Sequence, residues 1–143
     1  TLVHRDFHVS NLMKYKKKLA IIDTQDAVIG NKAYDLASLI DDVRFKSNKK
    51  LKDSTYNYYL KLNKNKTDKI ILLNDFEILS VVRNMKIIGI FARLAARDKK
   101  IQYLKLIPYA WKLIELRLKN NQIFDNLKRL LDLNFSNKIR NLK

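Results

Sequence analysis

A chain of 143 residues with 47% apolar residues is long enough to bury one compact core, and 31% charged residues is too little to argue disorder. It has no cysteine, which removes disulfide frameworks and thiolate metal sites. No apolar run reaches the roughly 18 residues of a membrane-spanning helix, and no signal-peptide pattern opens the chain. The net charge of +16 comes from lysines far more than arginines. They are dispersed, with short runs only at Lys16-Lys17-Lys18 and Lys49-Lys50, so the charge reads as a solvated basic surface and a nucleic-acid partner is not expected.

The first segment carries the chemistry. His4-Arg5-Asp6-Phe7-His8-Val9-Ser10-Asn11 is followed by the apolar run ending Ile21-Ile22-Asp23. Residues 12–15 and 19–22 read as two short strands joined by Lys16-Lys17-Lys18. Such a hairpin would set Asn11 and Asp23 side by side at its open end, with Asp6 on the preceding loop. One carboxylate to accept a hydroxyl proton, and an amide oxygen plus a second carboxylate as hard ligands for Mg2+, are the polar equipment of phosphoryl transfer. Taken singly, Asp6 is equally a loop cap, Asn11 a turn residue and Asp23 a strand-end cap; their register together favours catalysis. An EF-hand from Asp23 onward fails, because Val28 stands where the turn needs Gly and Tyr34 where it needs Glu. His4 and His8 lack the glutamate and third ligand of a zinc site.

From about residue 32 the pattern turns helical. Leu36, Leu39, Ile40 and Val43 share one face, with Asp35, Asp41 and Asp42 expected to face elsewhere. Residues 51–62 form a second helix on Tyr56, Tyr59 and Leu60, and the polar stretch 63–69 reads as a loop. Asn74 or Asp75 is expected to cap a long helix running to residue 97. Its stripe passes through Ile78, Val81, Val82, Met85, Ile88, Gly89, Ala92, Ala95 and Ala96, with small residues that would admit a second helix. Pro108 suits the first turn of another helix on Ile107, Trp111, Ile114 and Leu118. A last one covers 124–133 with Phe124, Leu127, Leu130 and Leu131 inward. The basic tail after residue 135 is expected to fray.

The motif H-x-D-x-x-x-x-N, a hairpin and then I-D resembles the C-terminal lobe of the aminoglycoside phosphotransferase and choline kinase family, relatives of protein kinases. Asp23-Thr24-Gln25-Asp26-Ala27, Tyr34-Asp35-Leu36-Ala37-Ser38-Leu39 and Gly89-Ile90-Phe91-Ala92-Arg93-Leu94-Ala95 with Arg97-Asp98 resemble its bacterial amino-sugar branch. Those enzymes phosphorylate the anomeric hydroxyl of N-acetylmuramate and N-acetylglucosamine in cell-wall recycling. The resemblance implies an α+β, mostly helical fold: a short β-hairpin plus about five helices, as a kinase-like C-terminal lobe. It also implies ATP as co-substrate, Mg2+, a small-molecule acceptor and a cytoplasmic location. Asp6 would be the catalytic base, Asn11 and Asp23 the metal ligands, and His4 and Asp35 the structural support of the site. His8, Gln25, Asp26 and Arg44 are candidates for substrate contact, against loop ordering for Gln25 and Asp26 and a surface ion pair for Arg44. Arg83 and Arg93 carry the same two readings toward a lactyl carboxylate.

The family's nucleotide-binding lobe would precede His4, yet the only two glycines, Gly30 and Gly89, follow the motif. The chain is therefore expected to be a C-terminal fragment that is inactive alone. Competing readings are a family kinase for another acceptor (an aminoglycoside, choline or homoserine) and a non-catalytic basic RNA-binding module. The basic surface argues against a polycationic aminoglycoside.

Overall fold

The computed structural model describes residues 1–63, 68–119 and 121–141. The fold is α+β and mostly helical, and it divides into two compact units, Thr1–Leu79 and Ser80–Lys143.

The first unit opens with two antiparallel strand pairs. β1 (Leu2–Val3) pairs with β4 (Val28–Ile29), Leu2 opposite Ile29. Between them β2 (Leu12–Tyr15) and β3 (Lys18–Ile21) form the expected hairpin, one residue earlier in β3 than the sequence suggested. The register sets Tyr15 against Lys18, so only Lys16 and Lys17 turn, and Lys16 adopts the left-handed φ of 53° that a tight hairpin turn demands.

Helix α1 (Ala33–Ile40) and helix α2 (Lys49–Leu62) follow. The Asn48 side chain caps α2 by accepting the Leu51 N–H. Ala33, Leu36, Ala37 and Ile40 of α1 bury against Leu72 and Phe76, with Tyr56, Tyr59, Leu60 and Leu79 packed around them. Tyr56 and Phe76 stack with ring centroids 5.1 Å apart. Burial pushes the Tyr59 phenol above its ordinary pKa.

Two expectations fail here for identifiable reasons. Asp41 and Asp42 do not face solvent; both are fully buried. The helix stops at Ile40, so the chain turns inward before they can follow its polar face. The Lys52 ammonium of α2 then meets Asp41 Oδ1 at 2.8 Å and the orphan Ile40 carbonyl at 2.6 Å. Asp42 Oδ1 accepts the Arg44 N–H at 2.9 Å. The long helix α3 (Lys69–Asp98) also starts earlier than residue 74. Asp68 Oδ1 accepts the N–H groups of Ile70 and Ile71 at 2.8 and 3.1 Å and so caps it. Asp75 instead accepts Asn31 Nδ2 at 2.7 Å, tying α3 to the turn before α1. Of the expected loop at 63–69, residues 64–67 lie outside the described residues.

In the second unit α3 continues from Ser80. Its buried side runs through Val81, as read in the sequence, and then through Asn84, Ile87 and Phe91, one position away from the expected stripe. Val82, Met85, Ala92 and Ala96 are exposed, and a side chain at Gly89 would meet nothing within 4 Å. A 3-10 stretch (Ile101–Leu106) leads into α4 (Ile107–Leu118), with Pro108 in its first turn. Ile107, Trp111, Ile114 and Leu118 are buried as one face. A short turn (Gln122–Phe124) precedes α5 (Asp125–Asn134), where Phe124 and Leu131 are buried but Leu130 is exposed.

Residues 136–141, the described part of the tail, are ordered by helix and ion pairs rather than frayed. They include α6 (Asn137–Arg140), whose Arg140 guanidinium reaches Glu115 at 3.1 Å and Asp132 at 2.8 Å. The same group lies 5.0 Å from the Trp111 ring centroid, so ion pairs and a cation–π contact outweigh the entropy of a loose end. Among the described residues no helix is long and apolar enough to cross a membrane.

Candidate active site

The loop from His4 to Asn11 is fixed from below by one carboxylate. Asp35, in the first turn of α1, accepts the His4 N–H on Oδ2 at 2.7 Å and the Arg5 N–H on Oδ1 at 3.1 Å. Charge-assisted bonds of this kind are among the stronger ones available to a loop. Arg5 is thereby held at a left-handed φ of 73°, a conformation a non-glycine residue keeps only when its surroundings impose it. Its guanidinium reaches the Asp26 carbonyl at 3.4 Å.

His4 links this loop to the end of the hairpin. Its Nδ1 accepts the Asp6 N–H at 3.3 Å, which leaves Nε2 as the protonated nitrogen. Nε2 donates to the Ile22 carbonyl at 2.9 Å. The ring edge of His4 also packs against Phe7, with centroids 6.0 Å apart. One buried imidazole therefore links Asp6 to Ile22, the residue before Asp23.

Asp6 folds the rest of the loop around its own carbonyl, which accepts the His8 N–H at 3.0 Å and Asn11 Nδ2 at 3.0 Å. Its side chain is exposed. Asn11 closes the short turn Val9–Asn11 and is buried. Because its amide nitrogen is committed to Asp6, the amide oxygen is the end left to face a cation. The Ile22 N–H donates to the Asn11 carbonyl at 3.1 Å, extending the hairpin ladder by one step. Asp23 is the next residue along the chain. Its φ of 68° turns the chain out of the strand, and its Oδ1 accepts Gln25 Nε2 at 2.7 Å.

An amide oxygen and a carboxylate oxygen at adjacent strand ends suit Mg2+, which keeps several waters and takes few protein ligands. Among the described residues no three His, Asp or Glu side chains converge on a metal position.

The remaining candidates are spread. Gln25 is engaged with Asp23, and the Asp26 side chain is exposed. His8 is buried at 8% exposure, and its carbonyl accepts the Asn11 N–H at 2.9 Å. Arg44 lies past α1 with its guanidinium 3.9 Å from the buried Asp42. Sequence reasoning missed Lys52 and Asp75. Neither stands in a motif, and each acts on residues 11 to 44 positions away, where no local pattern reports it.

Residues 4–23 thus carry an exposed carboxylate, an amide oxygen and a second carboxylate along one loop and hairpin. Residues 1–68 match the model of the phosphotransferase enzyme family. The chain is 32% identical over 113 residues to an N-acetylmuramate/N-acetylglucosamine kinase of Caulobacter vibrioides, covering 76% of the chain and 31% of that protein. It is 36% identical over 111 residues to the kinase of that name from Neisseria meningitidis, covering 74% and 33%. The like-named Pseudomonas aeruginosa protein is 32% identical over 136 residues, covering 90% and 40%. The chain belongs to the phosphotransferase enzyme family. It spans about a third of the length of these relatives.

Proposed function

We propose that the intact protein is a cytoplasmic kinase that moves the γ-phosphate of ATP to a hydroxyl of an N-acetylated amino sugar, as a step in recycling cell-wall sugars. The observation that carries this is the exposed Asp6 carboxylate on a loop pinned by Asp35; the Asp6 carbonyl holds Asn11, and Asp23 lies one residue past the pairing of Ile22 with Asn11. The printed names of the relatives supply the acceptor class.

Asp6 accepts the proton of the attacking hydroxyl and aims it at the phosphorus. Transfer passes through a loose transition state, so aim contributes as much as basicity. Asn11 and Asp23 would hold Mg2+, which when bound neutralises charge on the phosphate oxygens. His4 and Asp35 keep the loop from drifting relative to that metal position. In this reading these residues form the lobe with the base and metal ligands. A nucleotide-binding lobe outside them would be needed for transfer, and the 143 residues alone would be inactive.

The test is phosphate transfer by the intact protein with Mg-ATP and N-acetylmuramate, N-acetylglucosamine, kanamycin, choline or homoserine. Transfer to the N-acetyl sugars is expected, and excess chelator is expected to stop it. Transfer confined to another acceptor would replace the sugar assignment. No transfer to any of them would overturn the reading.

A further inference from the structure

A cleft of about 190 Å³ opens beside the catalytic loop. Val9, from the turn that hangs on the Asp6 carbonyl, forms part of its wall. Phe45 and Leu51 extend the apolar surface, and Ser47, Lys52 and Thr55 supply the polar groups. Whole small-molecule sites usually exceed about 300 Å³, so this cleft suits one substituent of a ligand.

The polar groups have defined hydrogen-bonding capacities. The Lys52 side chain is 9% exposed, and its ammonium gives two of its three N–H groups to Ile40 O and Asp41 Oδ1. One donor is left. Thr55 Oγ1 gives its proton to the Leu51 carbonyl at 2.9 Å, and Ser47 Oγ gives its own to the Ile40 carbonyl at 3.4 Å. Each hydroxyl then offers only lone pairs. One donor, two acceptors and an apolar wall are the complement of a secondary amide bearing a methyl group. The amide carbonyl would take the ammonium, its N–H would go to a hydroxyl oxygen, and the methyl would meet Val9, Phe45 and Leu51. A carboxylate fits less well. It has no N–H to give, and Asp41 already neutralises Lys52.

We propose that this cleft receives the N-acyl substituent of the acceptor sugar, and that Ser47, Lys52 and Thr55 select N-acetylated sugars over plain ones. The proposal rests on the amino-sugar kinase reading and adds the residues that enforce it. C1 and C2 are neighbouring ring atoms. An acyl group on C2 seated beside Val9 therefore keeps the anomeric hydroxyl on the side of the catalytic turn.

The experiment measures kcat/KM of the intact protein for N-acetylglucosamine, N-butanoylglucosamine and glucose. It compares the unsubstituted protein with Thr55→Val and Leu51→Ala. Thr55→Val keeps shape and removes an acceptor, and it is expected to cut the preference for N-acetylglucosamine over glucose about tenfold. Leu51→Ala widens the wall and is expected to raise N-butanoylglucosamine relative to N-acetylglucosamine by a similar factor. Transfer to N-acetylglucosamine with both ratios unchanged overturns the subsite alone. No transfer to any of the three sugars by the unsubstituted protein overturns the amino-sugar reading and the subsite with it.

Discussion

The two units share the 30 Lys and Arg residues evenly but not the 14 acids, of which only Asp98, Glu115, Asp125 and Asp132 lie beyond residue 79. The acids also work differently. In the first unit Asp35, Asp42 and Asp68 accept backbone N–H groups and so dictate the path of the chain. In the second, Glu115 and Asp132 grip one guanidinium and fasten a chain end. A carboxylate on backbone builds a site, because it fixes where neighbouring side chains start. A carboxylate on an arginine instead fastens one element to another.

The largest expected effect tests the site itself. Asp6→Asn should lower kcat of the intact protein by about 10³-fold, within the range for losing a positioned base. Its side chain is exposed, so the melting temperature should barely move. Retained transfer would remove Asp6 from the chemistry. Next comes Asp35→Asn. An amide can accept one of the two N–H groups but turns its own NH₂ toward the other. A stability loss of about 1–3 kcal/mol is expected from denaturant titration. A fall in kcat of about 10²-fold should accompany it through misplacement of the loop. A loss of stability with kcat intact would show that Asp35 is merely structural.

The same contrast explains what could be read in advance. The hairpin, and with it the position of Asn11 and Asp23 at its open end, was legible because the spacing is local. The cap of α3 was misplaced by several residues because Asn74 and Asp75 look as good as Asp68 from sequence. Only the pairing of Asp75 with Asn31 shows which acid is otherwise engaged. Beyond Val81 the stripe of α3 expected from sequence runs one position off, because the buried polar Asn84 interrupts the true face while Val82, Met85 and Ala92 imitate a false one. The burial of Asp41 has no local signature because its partner Lys52 lies on the next helix.

The clasp of the second unit should sharpen the comparison through pH. Hydrogen bonds from Lys128 and Arg140 hold the Asp132 carboxyl below its ordinary pKa. Burial works to lower the Arg140 pKa, but its bonds to Asp132 and Glu115 outweigh it and keep it raised. A depressed acid contributes stability above its unfolded pKa, about 3.9, and loses it as pH falls through the folded value. Melting temperature should therefore drop on acidification below about pH 4. Arg140→Met should flatten part of that slope, with Lys128 retaining the rest, while kcat per folded molecule stays unchanged. An identical slope in the variant would show that Asp132 does not depend on the clasp.

The smallest effect belongs to the surface of α2. Lys49 pairs with Asp53 one turn on, and both side chains are largely exposed. Such a pair contributes about 0.3–0.5 kcal/mol. Lys49, however, is the first residue of α2, where a cation opposes the helix dipole by a comparable amount. The two terms nearly cancel, so Lys49→Ala should leave stability within about 0.5 kcal/mol of the original. Asp53→Ala removes the pairing and leaves the unfavourable lysine behind. It should destabilise by about 0.3–0.5 kcal/mol at low salt and by less at 1 M salt. Equal losses from both substitutions would mean that the pair outweighs the dipole. The ion pairs of the first unit would then carry more of its stability than its backbone-directed acids suggest.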